Sequence, residues 1–183
     1  MSMNKLIILD RDGVVNKDSA NYIRSAEEWI PIPGSIKAIA KLSQAGYAIA
    51  IATNQSGLAR GYFTENELQA MHEKLIGLVE VAGGKIAVIK YCPHHPEINC
   101  SCRKPEPGMI LSILKVLDKP ASETWMVGDS LKDIQAGKAA GCKTALVKTG
   151  NGLKTLSRGE GLQDTLVLED LSDFCDQLLS AGD

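Results

Sequence analysis

The sequence predicts an α/β fold in three layers: a central parallel sheet with helices on both faces. Three observations carry that expectation. Short apolar runs alternate with amphipathic segments along most of the chain, the pattern of repeated strand–helix units. The first run, Leu6-Ile7-Ile8-Leu9, is apolar at four successive positions, as a strand buried on both faces requires. Polar clusters follow several of these runs, where the carboxyl ends of parallel strands gather ligands.

The elements follow in order. Residues 5–9 form the first strand. Residues 35–44 carry Ile36, Ile39, Ala40 and Leu42 at helical spacing and stop before Gly46, a helix-ending residue. Residues 47–52 are a second apolar run. Thr64 and Glu67 make a capping box that opens a helix to about residue 82, ended by Gly83-Gly84. Residues 86–91 form a third strand. Pro107 starts a helix with Met109, Ile110, Ile113, Leu114 and Leu117 on its inner face. Residues 125–127 are a short strand, 131–140 a helix closed by Gly141, and 144–147 a strand. Residues 151–161, rich in Gly and Lys, read as a loop, 166–168 as an edge strand and 171–179 as a closing helix. There is no repeat and no low-complexity linker, so residues 1–183 are expected to form one domain.

Composition narrows the function. With 20 basic and 22 acidic residues, net charge −2, the chain has no electrostatic footprint for nucleic acid or a membrane surface. No apolar run approaches the roughly 18 residues of a membrane span. Residues 1–5 lead directly into the first strand, so no secretory leader is expected. Five cysteines are an odd number, and three of them fall within residues 92–102. That pattern argues against a disulfide framework and for a metal site in a reducing compartment, hence a cytoplasmic location. Few aromatics and mixed surface charge point to a monomer.

Asp10 and Asp12 stand at the end of the first strand, followed by Gly13. Two carboxylates there repel each other, a costly arrangement unless a cation or a reaction uses it. The plain alternative is an Asp/Gly turn that ends a strand. After the second strand, Thr53-Asn54-Gln55-Ser56-Gly57 offers small donors for phosphate oxygens. Arg103-Lys104-Pro105 precedes the helix at Pro107, and Gly128-Asp129-Ser130-Leu131-Lys132-Asp133 follows the strand at 125–127. Singly, these read as turn formers, a solvated lysine and a helix cap.

In this order, Asp10-x-Asp12-Gly13, Thr53, Lys104 and Gly128-Asp129-x3-Asp133 resemble the four motifs of the haloacid-dehalogenase (HAD) superfamily of phosphohydrolases. The resemblance implies a Rossmann-like, HAD-like sandwich. Asp10 would be the nucleophile, forming an aspartyl-phosphate. Asp12 would be the general acid and later the base, its closeness to anionic Asp10 favouring its protonated form. Mg2+ would sit between the Asp10 carboxylate, the Asp12 backbone carbonyl and the Asp129 carboxylate. Thr53, the Asn54 backbone and Lys104 would hold the transferring phosphoryl oxygens. Asp133 is expected as a support or a partner for Lys104 rather than a metal ligand.

Cys92-x-His94-x5-Cys100-x-Cys102 offers four soft ligands. Three cysteines and a histidine are a standard structural zinc set, although the one-residue gaps are tighter than in zinc fingers. His95 is an alternative to His94 that spacing does not separate, and a loop of free thiols is the plain alternative. Zinc here would hold the backbone just before Arg103 and Lys104, a structural role. Cys142 and Cys175 read as buried and inert.

The longer motifs are more specific. Asp10-Arg11-Asp12-Gly13-x-x-Asn16, Thr53-Asn54-Gln55-Ser56-Gly57-x-x-Arg60-Gly61 and Cys92-Pro93-His94-His95-Pro96…Cys100-x-Cys102-Arg103-Lys104-Pro105 closely resemble the D-glycero-D-manno-heptose-1,7-bisphosphate 7-phosphatase family and the related histidinol-phosphatase domains. The resemblance implies removal of the 7-phosphate of a phosphorylated sugar in nucleotide-activated heptose synthesis, which feeds lipopolysaccharide core or surface glycans. Histidinol phosphate stays open as a rival substrate, and a non-catalytic zinc-stabilised binding module as the rival that is no enzyme. By the same resemblance, substrate recognition falls on Asn54, Gln55, Ser56 and Arg103, with residues 18–22, Asp18 and Tyr22 among them, lining the sugar site. Arg103 brings a planar fork of donors suited to a second phosphate or sugar hydroxyls. The intervals from Asp12 to Thr53 and from Thr53 to Lys104 are consumed by a loop, a helix and a strand, which leaves no room for a separate cap domain. An open site rimmed by the zinc loop and residues 18–29 is expected.

Overall fold

The four consecutive apolar residues of β1 (Leu6–Leu9) are all fully buried, because β1 runs through the middle of a six-stranded sheet. The computed structural model describes residues 5–182, so the expected absence of a leader, resting on residues 1–5, falls almost wholly outside them. The strands are β1, β2 (Ala48–Asn54), β3 (Val88–Cys92), β4 (Thr124–Gly128), β5 (Lys143–Val147) and β6 (Thr165–Leu168). Their order is β3-β2-β1-β4-β5-β6 and every pairing is parallel. The helices are α1 (Ser35–Gln44), α2 (Glu65–Val81), α3 (Gly108–Leu117), α4 (Leu131–Ala139), α5 (Gly152–Arg158) and α6 (Leu171–Ser180).

Strand alternation divides β1 between two cores. Ile7 and Leu9 pack in one with Ile39 and Leu42 of α1, Leu75 of α2 and Phe174 of α6. Leu6 and Ile8 pack in the other with Ile110 and Ile113 of α3 and Ala136 of α4. Both faces of the sheet are thus covered, which gives the three layers expected. The Thr64–Glu67 capping box opens α2 as the sequence predicts: the Glu67 backbone N–H donates to Thr64 Oγ1 at 3.2 Å, and Thr64 N–H donates to Glu67 Oε2 at 2.7 Å. Cys142 and Cys175 are buried thiols. Among the described residues no helix is long and apolar enough to cross a membrane.

One element differs from expectation. Residues 152–158, read as loop, form α5. Seven residues that begin at Gly152 and end before Gly159 are too few to show a helical period, and so short a helix is marginal on its own. It is anchored instead by a distant contact, Thr155 Oγ1 donating to the Asp129 carbonyl at 2.9 Å.

The chain lays β1, β2 and β3 outward in one direction, then returns to place β4 beside β1. Such a reversal opens a crevice beyond the strands' carboxyl ends. Asp10 leaves β1 and Asp129 leaves β4 at that crevice.

Candidate active site

Asp10, Asp12, Thr53, Lys104, Asp129 and Asp133, scattered over more than half the sequence, line one cavity of about 330 Å³. Asp18, Tyr22, Asn54, Gln55 and Arg103 line it too, whereas Ser56 is buried and does not. Two glycines allow the crevice to close around Asp129. Gly13 (φ +87°) and Gly150 (φ +57°) press so near that a Cβ on either would lie 2.1–2.2 Å from Asp129 Oδ2. Only glycine fits both the backbone conformation and that space.

Lys104 is 2% exposed, and all three of its ammonium donors are used. Nζ donates to Asp10 Oδ1 at 2.9 Å, to Ala52 O at 2.7 Å and to Asp133 Oδ1 at 2.7 Å. Its backbone is held to the end of β2 by the Asn54 amide, which accepts from Lys104 N–H and donates to Lys104 O, both at 3.1 Å. Asp133 is a partner for Lys104, as expected, and its Oδ2 also accepts from the Asp129 and Ser130 N–H groups and the Ser130 hydroxyl. The Gln55 amide is likewise committed within the protein, donating to Thr53 Oγ1 at 2.8 Å and Asp12 Oδ2 at 3.0 Å.

The expectation that Asp12 is protonated is corrected. Burial pushes its carboxyl up, but the Arg11 charge, with hydrogen bonds from Asn16, Arg11 and Gln55, outweighs this and holds it below the usual range. Sequence reasoning missed Arg11, because a fully buried arginine leaves no periodic signature. It also missed Asn151, whose N–H donates to Asp129 Oδ2 at 2.7 Å and whose side chain donates to Asp18 Oδ2 at 3.1 Å. A polar cluster after β5, of the kind noticed after β1, β2 and β4, was the available signal. Asn151 ties the rim to the centre. Tyr22, also on the rim, has a left-handed backbone (φ 65°), strained for a bulky residue, and its ring meets Tyr62 edge-on at 5.0 Å.

Asp10, Asp129 and Asp133 each bring a carboxylate oxygen within 4.8 Å of the others. Burial and the neighbouring Asp133 raise Asp10 well above the usual carboxylate range and Asp129 to about 7. Oxygen donors that repel each other in a buried space fit a hard divalent cation such as Mg2+. The pH dependence has a definite sign. Between the ordinary value of 3.8 and about 7, folded Asp129 keeps a proton that the unfolded chain has lost, so without a cation stability falls as pH rises through that window. Mg2+ is therefore expected to raise Tm more at pH 8 than at pH 5. An equal shift at both values would show that the carboxylates are not the ion's site.

The last residue of β3 and the ten residues after it gather a second cluster. Cys92, Cys100 and Cys102 Sγ atoms lie 3.2–3.7 Å apart, and His94 Nδ1 is 3.5 Å from Cys92 Sγ and 3.3 Å from Cys102 Sγ. Two thiolates about 2.3 Å from one tetrahedral zinc stand roughly 3.8 Å apart, so the cluster fits that ion with little adjustment. All three cysteines are free thiols. The structure also separates the two histidines: His94 faces the sulfurs, while His95 Nδ1 faces Glu97 at 3.8 Å.

Comparison with known proteins agrees with this geometry. Residues 101–174 match the HAD-hydrolase-like family model. The D-glycero-β-D-manno-heptose-1,7-bisphosphate 7-phosphatase of Neisseria meningitidis is 54% identical, covering 96% of this chain and 95% of its own length. That of Pseudomonas aeruginosa is 51% identical over 95% of this chain and 97% of its own. The chain belongs to the heptose-1,7-bisphosphate 7-phosphatase family. As a member it is an enzyme, a HAD-like phosphoric monoester hydrolase. The crystal structure of the D,D-heptose 1,7-bisphosphate phosphatase from B. bronchiseptica, complexed with magnesium and phosphate, matches the fold with a TM-score of 0.94 at 50% identity, covering 97% of this chain and 99% of that one.

Proposed function

We propose that this heptose-family phosphatase removes the 7-phosphate of D-glycero-β-D-manno-heptose 1,7-bisphosphate through an aspartyl-phosphate on Asp10, as a step of nucleotide-activated heptose synthesis. The observation that carries the chemistry is Lys104 Nζ, buried and 2.9 Å from Asp10 Oδ1, in the lining of a polar cavity. The sugar and its β anomer are supported by the names of relatives identical at half their positions.

In the first step an Asp10 oxygen attacks phosphorus. The new O–P bond forms as the bond from phosphorus to the sugar oxygen breaks, and that oxygen leaves with the electron pair. Asp12 delivers a proton to it. Asp12 is ionised at rest, and the negative charge of an arriving phosphate beside it favours uptake of that proton. In the second step water attacks phosphorus, Asp12 takes the water's proton, and Asp10 is released. Thr53, the Asn54 backbone and Lys104, whose bond to Asp10 is given up as Asp10 attacks, hold the phosphoryl oxygens. Mg2+, held by the Asp10 and Asp129 carboxylates and the Asp12 carbonyl, would neutralise charge on those oxygens. Asp133 supports Lys104 and Asp129. Asp18 and Tyr22 line the sugar end. Arg103 Nη1 is buried without a protein partner, a donor left for a second phosphate or a sugar hydroxyl. Zn2+ held by Cys92, His94, Cys100 and Cys102 would have a structural role, fixing the backbone that orients Arg103 and Lys104.

The test is Mg2+-dependent phosphate release from both heptose 1,7-bisphosphate anomers and from histidinol phosphate, with zinc-loaded and zinc-stripped protein. Preference for the β anomer is expected, with a lower rate once zinc is stripped. Preference for histidinol phosphate would move the enzyme to amino-acid synthesis. An unchanged rate in stripped, still-folded protein would remove zinc from any part in placing Lys104.

A further inference from the structure

We propose that His72, on α2 and outside the cavity, is a positioning residue for the proton-transfer step: it anchors Arg11, and Arg11 orients Asp12. The inference rests on the assignment of Asp12 as general acid. Arg11 is fully buried, and its guanidinium is shared between two neighbours. Nε and Nη2 donate to Asp12 Oδ1 at 3.2 and 3.0 Å, and Nη2 also meets Oδ2 at 3.3 Å. Nη1 points the other way and lies 3.2 Å from His72 Nε2.

Arginine carries donors only, so this contact is favourable only when His72 Nε2 presents its lone pair and the ring proton sits on Nδ1. The surroundings favour that neutral form: burial, then the Arg11 charge, lowers His72 to about 4. An apolar side chain in its place would leave Nη1 buried and unsatisfied. The fork would then turn to find another acceptor, and its register on Asp12 would be lost. The network is not the only hold on Asp12. Asn16 Nδ2 donates to Oδ1 at 2.8 Å and Gln55 Nε2 to Oδ2 at 3.0 Å. Loss of His72 is therefore expected to misorient the carboxyl rather than release it.

A residue that only packs would slow every substrate alike. One that orients the acid slows substrates in proportion to how much the leaving group needs a proton. The experiment compares leaving-group release in a single turnover, before the aspartyl-phosphate hydrolyses, for heptose 1,7-bisphosphate and for p-nitrophenyl phosphate. The sugar alkoxide needs the proton and nitrophenolate hardly does. His72→Phe is expected to slow the sugar substrate roughly 10- to 100-fold and nitrophenyl phosphate by no more than about twofold. His72→Gln, whose amide oxygen can accept from Nη1, is expected to restore most of the sugar rate. If His72→Phe does not fold, His72→Leu removes the acceptor in a smaller side chain. Asp12→Asn, run alongside, separates the two ways of failing. If it slows both substrates equally, Asp12 is not the acid. If it discriminates between them while the apolar His72 variants slow both equally or neither, His72 does not act through Asp12.

Discussion

Asparagine in place of Asp10 is expected to abolish phosphate release, by at least about a thousandfold, while leaving the cation-free protein no less stable than the parent. The amide has the carboxylate's shape but cannot attack phosphorus. It also removes a charge that burial, Asp133 and Asp129 all disfavour. Lys104 keeps a charged partner, because Asp133 Oδ1 remains 2.7 Å away and Ala52 O accepts a further bond. Loss of function with gain of stability is the mark of a residue kept for chemistry. Phosphate release and urea denaturation without Mg2+ check the two halves separately. Retained turnover would take the nucleophile's role from Asp10, and a large drop in stability would mean that the Asp10–Lys104 pair outweighs the repulsion around it.

Lys104→Met is expected to cost both activity and stability, the latter by about 3–5 kcal/mol, the usual consequence of removing one partner from a buried charge cluster. Burial alone would lower the lysine's pKa, but Asp10 and Asp133 outweigh it and raise it above its ordinary value. Without the cation these two carboxylates face each other and Asp129 uncompensated. Asp10, already raised by burial and its neighbours, is pushed further up, and a raised carboxylate pKa gives stability at low pH that is lost as pH rises. The deficit measured by urea denaturation should accordingly be larger at pH 8 than at pH 5, where Asp10 and Asp129 take up protons. An equal deficit at both values would show that what is lost is packing of the lysine stem rather than charge.

The sequence was most informative where chemistry and local structure coincide. Leu6–Leu9 reads as a doubly buried strand and delivers Asp10, and Thr64 with Glu67 announces α2. Asp133 was expected, on the resemblance, as a support or a partner for Lys104, and the two lie 2.7 Å apart. Reading failed where the signal was not local. Arg11 looks like a solvated residue between two acids, yet it is fully buried because Asp12 and His72, from opposite directions, use its donors. The protonation expected for Asp12 was wrong for the same reason: Asp10 was visible beside it, and the surrounding Asn16 and Gln55 donors were not. Asn54 and Gln55 reach the cavity, but their amides are spent on Lys104, Thr53 and Asp12. α5 was hidden because a bond from Thr155 to Asp129, not helical periodicity, makes it worthwhile.

The chain's periodicities, caps and donor types determined by themselves that a parallel sheet would carry acids, a lysine and a thiol cluster at its strand ends, since each depends on residues close in sequence. Which of these meet was left to the tertiary structure. Laying β4 beside β1 brings Asp129 to Asp10. The fold turns His94 rather than His95 to the sulfurs, and Lys104 comes to lie between two carboxylates. A buried charge is tolerable only when its partners arrive from other parts of the chain, and that arrival is a property of the folded molecule.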